Sequence, residues 1–68
     1  MRDAKPDRLI RALKAEGFVE NGGTKHLKLI KGDVTLHVQT HGVIKRNTVD
    51  SIRKASGIDK HKFYSYKF

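Results

Sequence analysis

The residues from His26 to Val38, His-Leu-Lys-Leu-Ile-Lys-Gly-Asp-Val-Thr-Leu-His-Val, constrain the fold more than any other stretch of the chain. Leu27 and Leu29 alternate with His26, Lys28 and Ile30. After Lys31-Gly32-Asp33, the residues Val34, Leu36 and Val38 alternate with Thr35 and His37. A period of two belongs to a strand with one buried face, and a glycine-containing break between two such runs predicts a hairpin. Opposed residues of an antiparallel hairpin share a face, so the apolar sets meet only if partner numbers sum to an odd value. Two registers satisfy this condition. A Lys31-Gly32 turn sets His26 opposite His37, and a Gly32-Asp33 turn sets Lys28 opposite His37. In both, His26, Lys28, Thr35 and His37 occupy one polar face.

The flanking segments complete an α-β-β-β-α order. Pro6 and Asp7 suit a first helical turn, and Leu9, Ile10 and Leu13 recur at helical spacing. Gly17 reads as the stop, with Phe18 folding back behind it, so the first helix is expected from Pro6 to Glu16. Phe18-Val19-Glu20 is a short strand candidate, ended by the turn signal Asn21-Gly22-Gly23. Beyond Val38, a loop carrying His41, Lys45 and Arg46 leads to a second helix. Asn47 or Thr48 is its expected cap, Asp50 its first-turn acid, and Val49, Ile52 and Ala55 its buried stripe, ending at Gly57. The tail, Asp-Lys-His-Lys-Phe-Tyr-Ser-Tyr-Lys-Phe, is basic and aromatic and reads equally as a helical turn or an added strand. The expected fold class is therefore α+β, a three-stranded antiparallel sheet with two helices on one face. One domain spans 1–68, with its core at about 6–58 and a basic aromatic tail at 59–68.

Size and charge narrow the class. A chain of 68 residues holds one small core, and without cysteine neither a disulfide nor a thiolate metal site can brace it. No run approaches the roughly 18 apolar residues of a membrane span, so a soluble, cytoplasmic protein is expected. Fifteen Lys and Arg stand against seven Asp and Glu, a net charge of +8 spread along the whole chain. A cationic body of this kind attracts polyanions, RNA foremost, and equally an acidic protein.

The motifs around these elements are similar to those of HicA-type toxins, small ribonucleases that cleave messenger RNA. Gly-Gly-Thr-Lys-His-Leu-Lys-Leu resembles that family's Gly-Ser-x-His signature, with Thr24 in place of serine. Leu-Ile-Arg-Ala-Leu-Lys-Ala-Glu-Gly-Phe resembles its first helix and strand entry. Lys-Arg-Asn-Thr-Val-Asp-Ser-Ile-Arg-Lys-Ala-Ser-Gly-Ile resembles its second helix, with Asn47 for glycine and Val49 for leucine. The likeness runs from Leu9 to Ile58. It implies a fold similar to the double-stranded-RNA-binding domain, a catalytic histidine at His26, and an acidic HicB-type antitoxin as partner. The family's Pro-x-His after the third strand is absent, His37 standing at the proline and Gln39 at the histidine. A shift of one or two residues would recruit His41 instead.

Residue chemistry accommodates that activity. Metal-free RNA cleavage needs a base for the 2′-hydroxyl proton, an acid for the leaving 5′-oxygen, and positive charge on the transition state. An imidazole with an ordinary pKa of about 6.5 serves either of the first two roles near neutrality. His26 is the candidate base, and in the Lys31-Gly32 register an opposed His37 would be the acid. Gly22, Gly23 and Thr24 would let the backbone approach a phosphate, while Lys25, Lys28, Lys45 and Arg46 would hold RNA. Without the family likeness, His26 reads as an ordinary strand-face histidine, and the lysines as a solvated face. Four histidines without compact ligand spacing give no reason to expect a metal, and no cofactor is expected. The free chain is expected to be a monomer.

Overall fold

Pro6 opens the first helix at a position where its missing N–H has no intrahelical partner to lose. The computed structural model describes residues 3–23 and 25–66. Its elements are α1 (Pro6–Ala15), β1 (Val19–Glu20), β2 (His26–Lys31), β3 (Val34–Gln39), α2 (Arg46–Ser56) and α3 (Lys60–Ser65). Leu9, Ala12 and Leu13 bury the inner line of α1, and Glu16 is its C-cap. Gly17 takes the left-handed conformation, φ 103°, and Phe18 donates its N–H back to the Leu13 carbonyl while its ring enters the core. This is the expected glycine stop with an apolar residue behind it.

The sheet is antiparallel in the order β1-β2-β3. Leu29, Leu36 and Val38 are fully packed beneath α1 and α2, with Leu27 and Val34 at the margin of the same cluster. Among the described residues, no helix covers the opposite face. The α+β arrangement expected from the alternation is the arrangement found.

The register is the one with Lys28 opposite His37; its other pairs are His26 with Gln39, Leu27 with Val38, and Leu29 with Leu36. Gly32 and Asp33 are therefore the two turn residues. Gly32 has φ 58°, and no residue other than glycine has positive φ among those described. A two-residue hairpin with positive φ only at its first central position follows the type II′ pattern, which needs glycine there. The Lys31-Gly32 turn would have put lysine in that strained position. The direct opposition of His26 and His37 that it would have produced does not occur.

Three details of the second helix differ from expectation. It begins at Arg46, ahead of Asn47 and Thr48, and neither of those side chains caps it. The free N–H of Arg46 is instead taken by the Asp3 carboxylate at 2.7 Å, from a segment where Ala4 and Ile44 exchange two backbone hydrogen bonds. Asp50, no longer in the first turn, pairs with Arg53 and Lys54. Ala55 is exposed. The inner line continues from Val49 and Ile52 to Ser56, four residues on, whose hydroxyl accepts the N–H of Ile58.

The tail is helical. Asp59 accepts from the N–H groups of His61 and Lys62, and Phe63 is completely buried among Leu9, Leu13, Val49 and Ile52 in one cluster. The core thus reaches beyond 6–58 at both ends, to Ala4 and to Phe63. Two phenols tie the tail to the main helices. Tyr66 donates to Glu16 at the end of α1, and Tyr64 lies within hydrogen-bond reach of Asp50 on α2. The tyrosine bond, with Lys62 beside it, holds the Glu16 carboxyl below its ordinary range, against the opposing effect of burial. Phe68, the last aromatic of the tail, lies outside the described residues. No helix among the described residues is long and apolar enough to cross a membrane.

Candidate nucleic-acid interface

On the open face of the sheet, the strand residues form three cross-strand rows. Ile30 and Thr35 make one, Lys28 and His37 the next, and His26 and Gln39 the last. Val19 of β1, opposite Ile30, extends the first row and is 66% exposed. No carboxylate belongs to any of these positions. Glu20, the one acid within the strands, alternates to the packed side and pairs with Lys14 of α1 at 3.1 Å.

The other acids are spent elsewhere. Asp3 and Asp59 cap helices, Glu16 and Asp50 tie down the tail, Asp7 stands in the first turn of α1, and Asp33 sits in the hairpin turn. Capping and pairing place negative charge at helix ends and turns. The open face is left with His26, Lys28 and His37, with Lys25 exposed just before β2. Its cationic field is thus a consequence of where the fold needs its carboxylates.

His26 is the first residue of β2, exposed, and set by an unusual local structure. Asn21 donates to the Lys28 carbonyl, and the Lys28 N–H donates to Gly22 rather than Asn21. Two residues of the entering chain thus oppose one on β2, which is a bulge. Gly22 and Gly23 follow at φ 76° and 124°. A Cβ at Gly23 would overlap the carbonyl oxygen of His26 and come within 3.2 Å of the Leu27 Cα. The expected reason for the paired glycines was backbone approach to a phosphate. The immediate reason in the fold differs for each: Gly23 lies directly against the His26 main chain, while Gly22 has open space beside it and is marked by its positive φ. Thr24, next in that loop, lies outside the described residues.

Thr40, not singled out in the sequence, and Gln39, noted there only as standing at the family's second histidine, hold the other side of His26. Thr40 donates both its N–H, at 3.2 Å, and its hydroxyl, at 3.1 Å, to the Lys25 carbonyl. Gln39, directly opposite His26, turns its amide nitrogen to the carbonyls of His41 at 2.8 Å and Val43 at 3.3 Å. Gln39 therefore braces the loop after β3. His41 is exposed in that loop and its backbone serves the brace. A Gln or Thr at a strand end carries no special mark in a sequence, which is why neither was read as a brace.

The structure brings His26, Lys28 and His37 together on one surface, with the two histidines diagonal across the β2–β3 ladder. Diagonal residues lie about 7–8 Å apart at Cα, wide enough for a phosphate between two side chains. Lys45 and Arg46 are exposed at the start of α2, in a hollow shared with Asp3 and Asn47. They form a second basic cluster, one with a carboxylate already inside it.

A scan against protein-family models finds no match for this chain, and a search of curated proteins finds none either.

Proposed function

We propose that this chain is a cytoplasmic toxin of the HicA type, a metal-independent endoribonuclease that cleaves messenger RNA and so inhibits translation. The observation carrying the proposal is the placement of His26: exposed, on a sheet face without a carboxylate, next in sequence to Lys25 and two residues from Lys28, with its main chain against Gly23, where a Cβ would overlap its carbonyl oxygen. The order of motifs from Leu9 to Ile58 supports the same reading.

In this mechanism the His26 imidazole accepts the 2′-hydroxyl proton, and the oxygen attacks the adjacent phosphorus. Lys25 and Lys28 balance the charge that builds on the phosphoryl oxygens, and the Gly22–Gly23 backbone approaches the same anion. His37, diagonal to His26, protonates the leaving 5′-oxygen. The products are a 2′,3′-cyclic phosphate and a 5′-hydroxyl, with no water consumed in the first step. Lys45 and Arg46 contact RNA away from the cleaved bond. An acidic HicB-like antitoxin covers His26 and its lysines, and opposite charge speeds its association.

The deciding experiment incubates the purified chain with messenger RNA in excess EDTA. Cleavage by the wild type, abolished in His26→Ala, is the expected result; intact RNA with a folded wild type refutes the reading. His37→Ala that cleaves at the normal rate would remove the second histidine from the mechanism without touching the first.

A second reading, an RNA-binding module without catalysis, draws on the register. His37 faces Lys28 rather than His26, so the two imidazoles are not directly paired. It predicts strongly salt-dependent RNA binding and no product.

A further inference from the structure

The two edges of the sheet are built differently. β1 is two residues long and runs into the bulge at Asn21–Gly22, so its free edge offers little backbone to another chain. β3 is six residues long, Val-Thr-Leu-His-Val-Gln, with no proline, lysine or bulge to interrupt it.

The direction of its free backbone groups follows from the hydrogen bonds. Lys28 directs both its N–H and its carbonyl to the β1 side, at Gly22 and Asn21. Its pairing with His37 is therefore of the kind in which no ladder bonds are exchanged. The Thr40 N–H, by contrast, reaches the Lys25 carbonyl, which places the bonded pairs at alternate positions: Leu27 with Val38, Leu29 with Leu36, and Lys31 with Val34. Thr35, His37 and Gln39 are left with N–H and carbonyl groups pointing out from the sheet. No hydrogen bond among the described residues reaches these outward groups. Thr35 and His37 are exposed and Gln39 is half-buried.

The chemistry beside this edge differs between the two faces. On the open side stand His37 and Thr35 themselves, with Lys28 and His26 one strand in and no carboxylate. On the packed side lies Val34, half-buried at the margin of the core. A strand added here would meet positive charge with one set of its side chains and apolar surface with the alternate set.

We propose that the outer edge of β3 is a docking site for an extended acidic segment of a partner protein, which adds as a fourth strand. Main-chain bonds to Thr35 and His37 give the attachment, and alternation gives the selectivity: acidic residues toward the open face, β-branched apolar residues toward Val34. A second copy of this chain fits poorly. Two-fold pairing about His37 would set the two histidines against each other between bodies each carrying +8. The docking mode rests on backbone direction and charge, and it holds whether or not His26 cleaves RNA. For the acidic partner of the proposed ribonuclease, it names the place of attachment and puts the added strand alongside His37.

The probe is a blocked Glu-Val-Glu-Val-Glu-Val-Glu peptide, titrated into the full chain and followed by amide NMR and hydrogen exchange. Expected are new protection at the Thr35 and His37 amides, little change at Leu36 and Val38, and binding that weakens with salt. A Lys-Val peptide of the same length should not bind. Thr35→Pro removes an outward N–H while leaving the β2 ladder whole, and should weaken binding roughly tenfold or more. If that variant fails to fold, the same peptide N-methylated at alternate residues makes the equivalent test on the wild-type chain. Equal binding by the N-methylated peptide, protection that appears on α1 or α2 instead, or self-association without peptide would each overturn the proposal. RNA cleavage is assayed on the free chain in parallel. Loss of the edge proposal leaves that assay unchanged, and loss of the ribonuclease reading leaves peptide binding unchanged.

Discussion

The two faces of the sheet come from the same strands and differ by one residue at every step, yet they answer to different forces. On the packed face, Leu29, Leu36 and Val38 meet α1, α2 and the tail, and each is at most 3% exposed. On the open face, His26, Thr35 and His37 are exposed and contribute little to burial. The packed face sets the parity of the register, because a one-residue slip would put leucines into water. Gly32 then chooses between the two registers that parity allows. Every adjacency on the open face, Lys28 beside His37 included, is inherited from those two decisions. The face that carries the proposed function had no part in choosing its own geometry.

This contrast can be broken most forcefully from below. Phe63→Ala should destabilise by about 3–5 kcal/mol, the usual loss for a large buried aromatic. A domain of this length holds roughly 3–10 kcal/mol in all, so the variant is expected to be largely unfolded by circular dichroism at 37 °C. Leu36→Ala, next to His37 but on the packed side, should lose about 2–5 kcal/mol in a urea titration. If His37→Ala lost as much, the open face would be structural after all; a change within about 0.5 kcal/mol is expected.

Gly23→Ala tests the join between fold and site. Its new Cβ must displace the His26 carbonyl. A stability loss of about 1–3 kcal/mol, with the His26 signal shifted more than others in the NMR spectrum, is the expected result. Lys28→Ala should do the reverse, leaving stability nearly intact while reducing the salt dependence of RNA binding by about one unit in the log–log slope.

The smallest effect expected is one of pH. The Glu16 carboxyl is held below its ordinary value of 4.5, first by the Tyr66 hydroxyl and then by Lys62. A depressed acid adds stability that is complete above its unfolded value and disappears as pH falls through its folded one. Stability should therefore decline below pH 4.5, and Glu16→Gln should decline less over that range. At the alkaline end the sign reverses for Tyr66, whose pKa its bond to Glu16 raises above 10. The neutral phenol stabilises the fold below pH 10, and that contribution is lost as pH rises through the raised value.

Much of this was legible in the residues because it is local. Gly17, Gly57 and the paired glycines mark stops and turns through a backbone conformation that other residues resist. Alternation narrowed the register to two, and the structure chose between them by placing Gly32 at the first turn position with positive φ. What the sequence hid are contacts between distant residues. The cap of α2 comes from Asp3, forty-three positions away, so Asn47 and Thr48 were read as caps for want of any local sign of it. Ala55 was placed inside by an i, i+3 count where the helix followed i, i+4 to Ser56.

Alternation, charge and turn chemistry, all properties of short stretches, determined that this chain makes a hairpin-centred α+β domain with one cationic face. Only the tertiary structure decided that the tail belongs to the core, that the acids are occupied at helix ends and clasps, and that β3 ends the sheet with its backbone uncovered. Those outcomes depend on which distant surfaces find each other, and pairing across the chain is settled by packing the whole core at once, which no window of sequence contains.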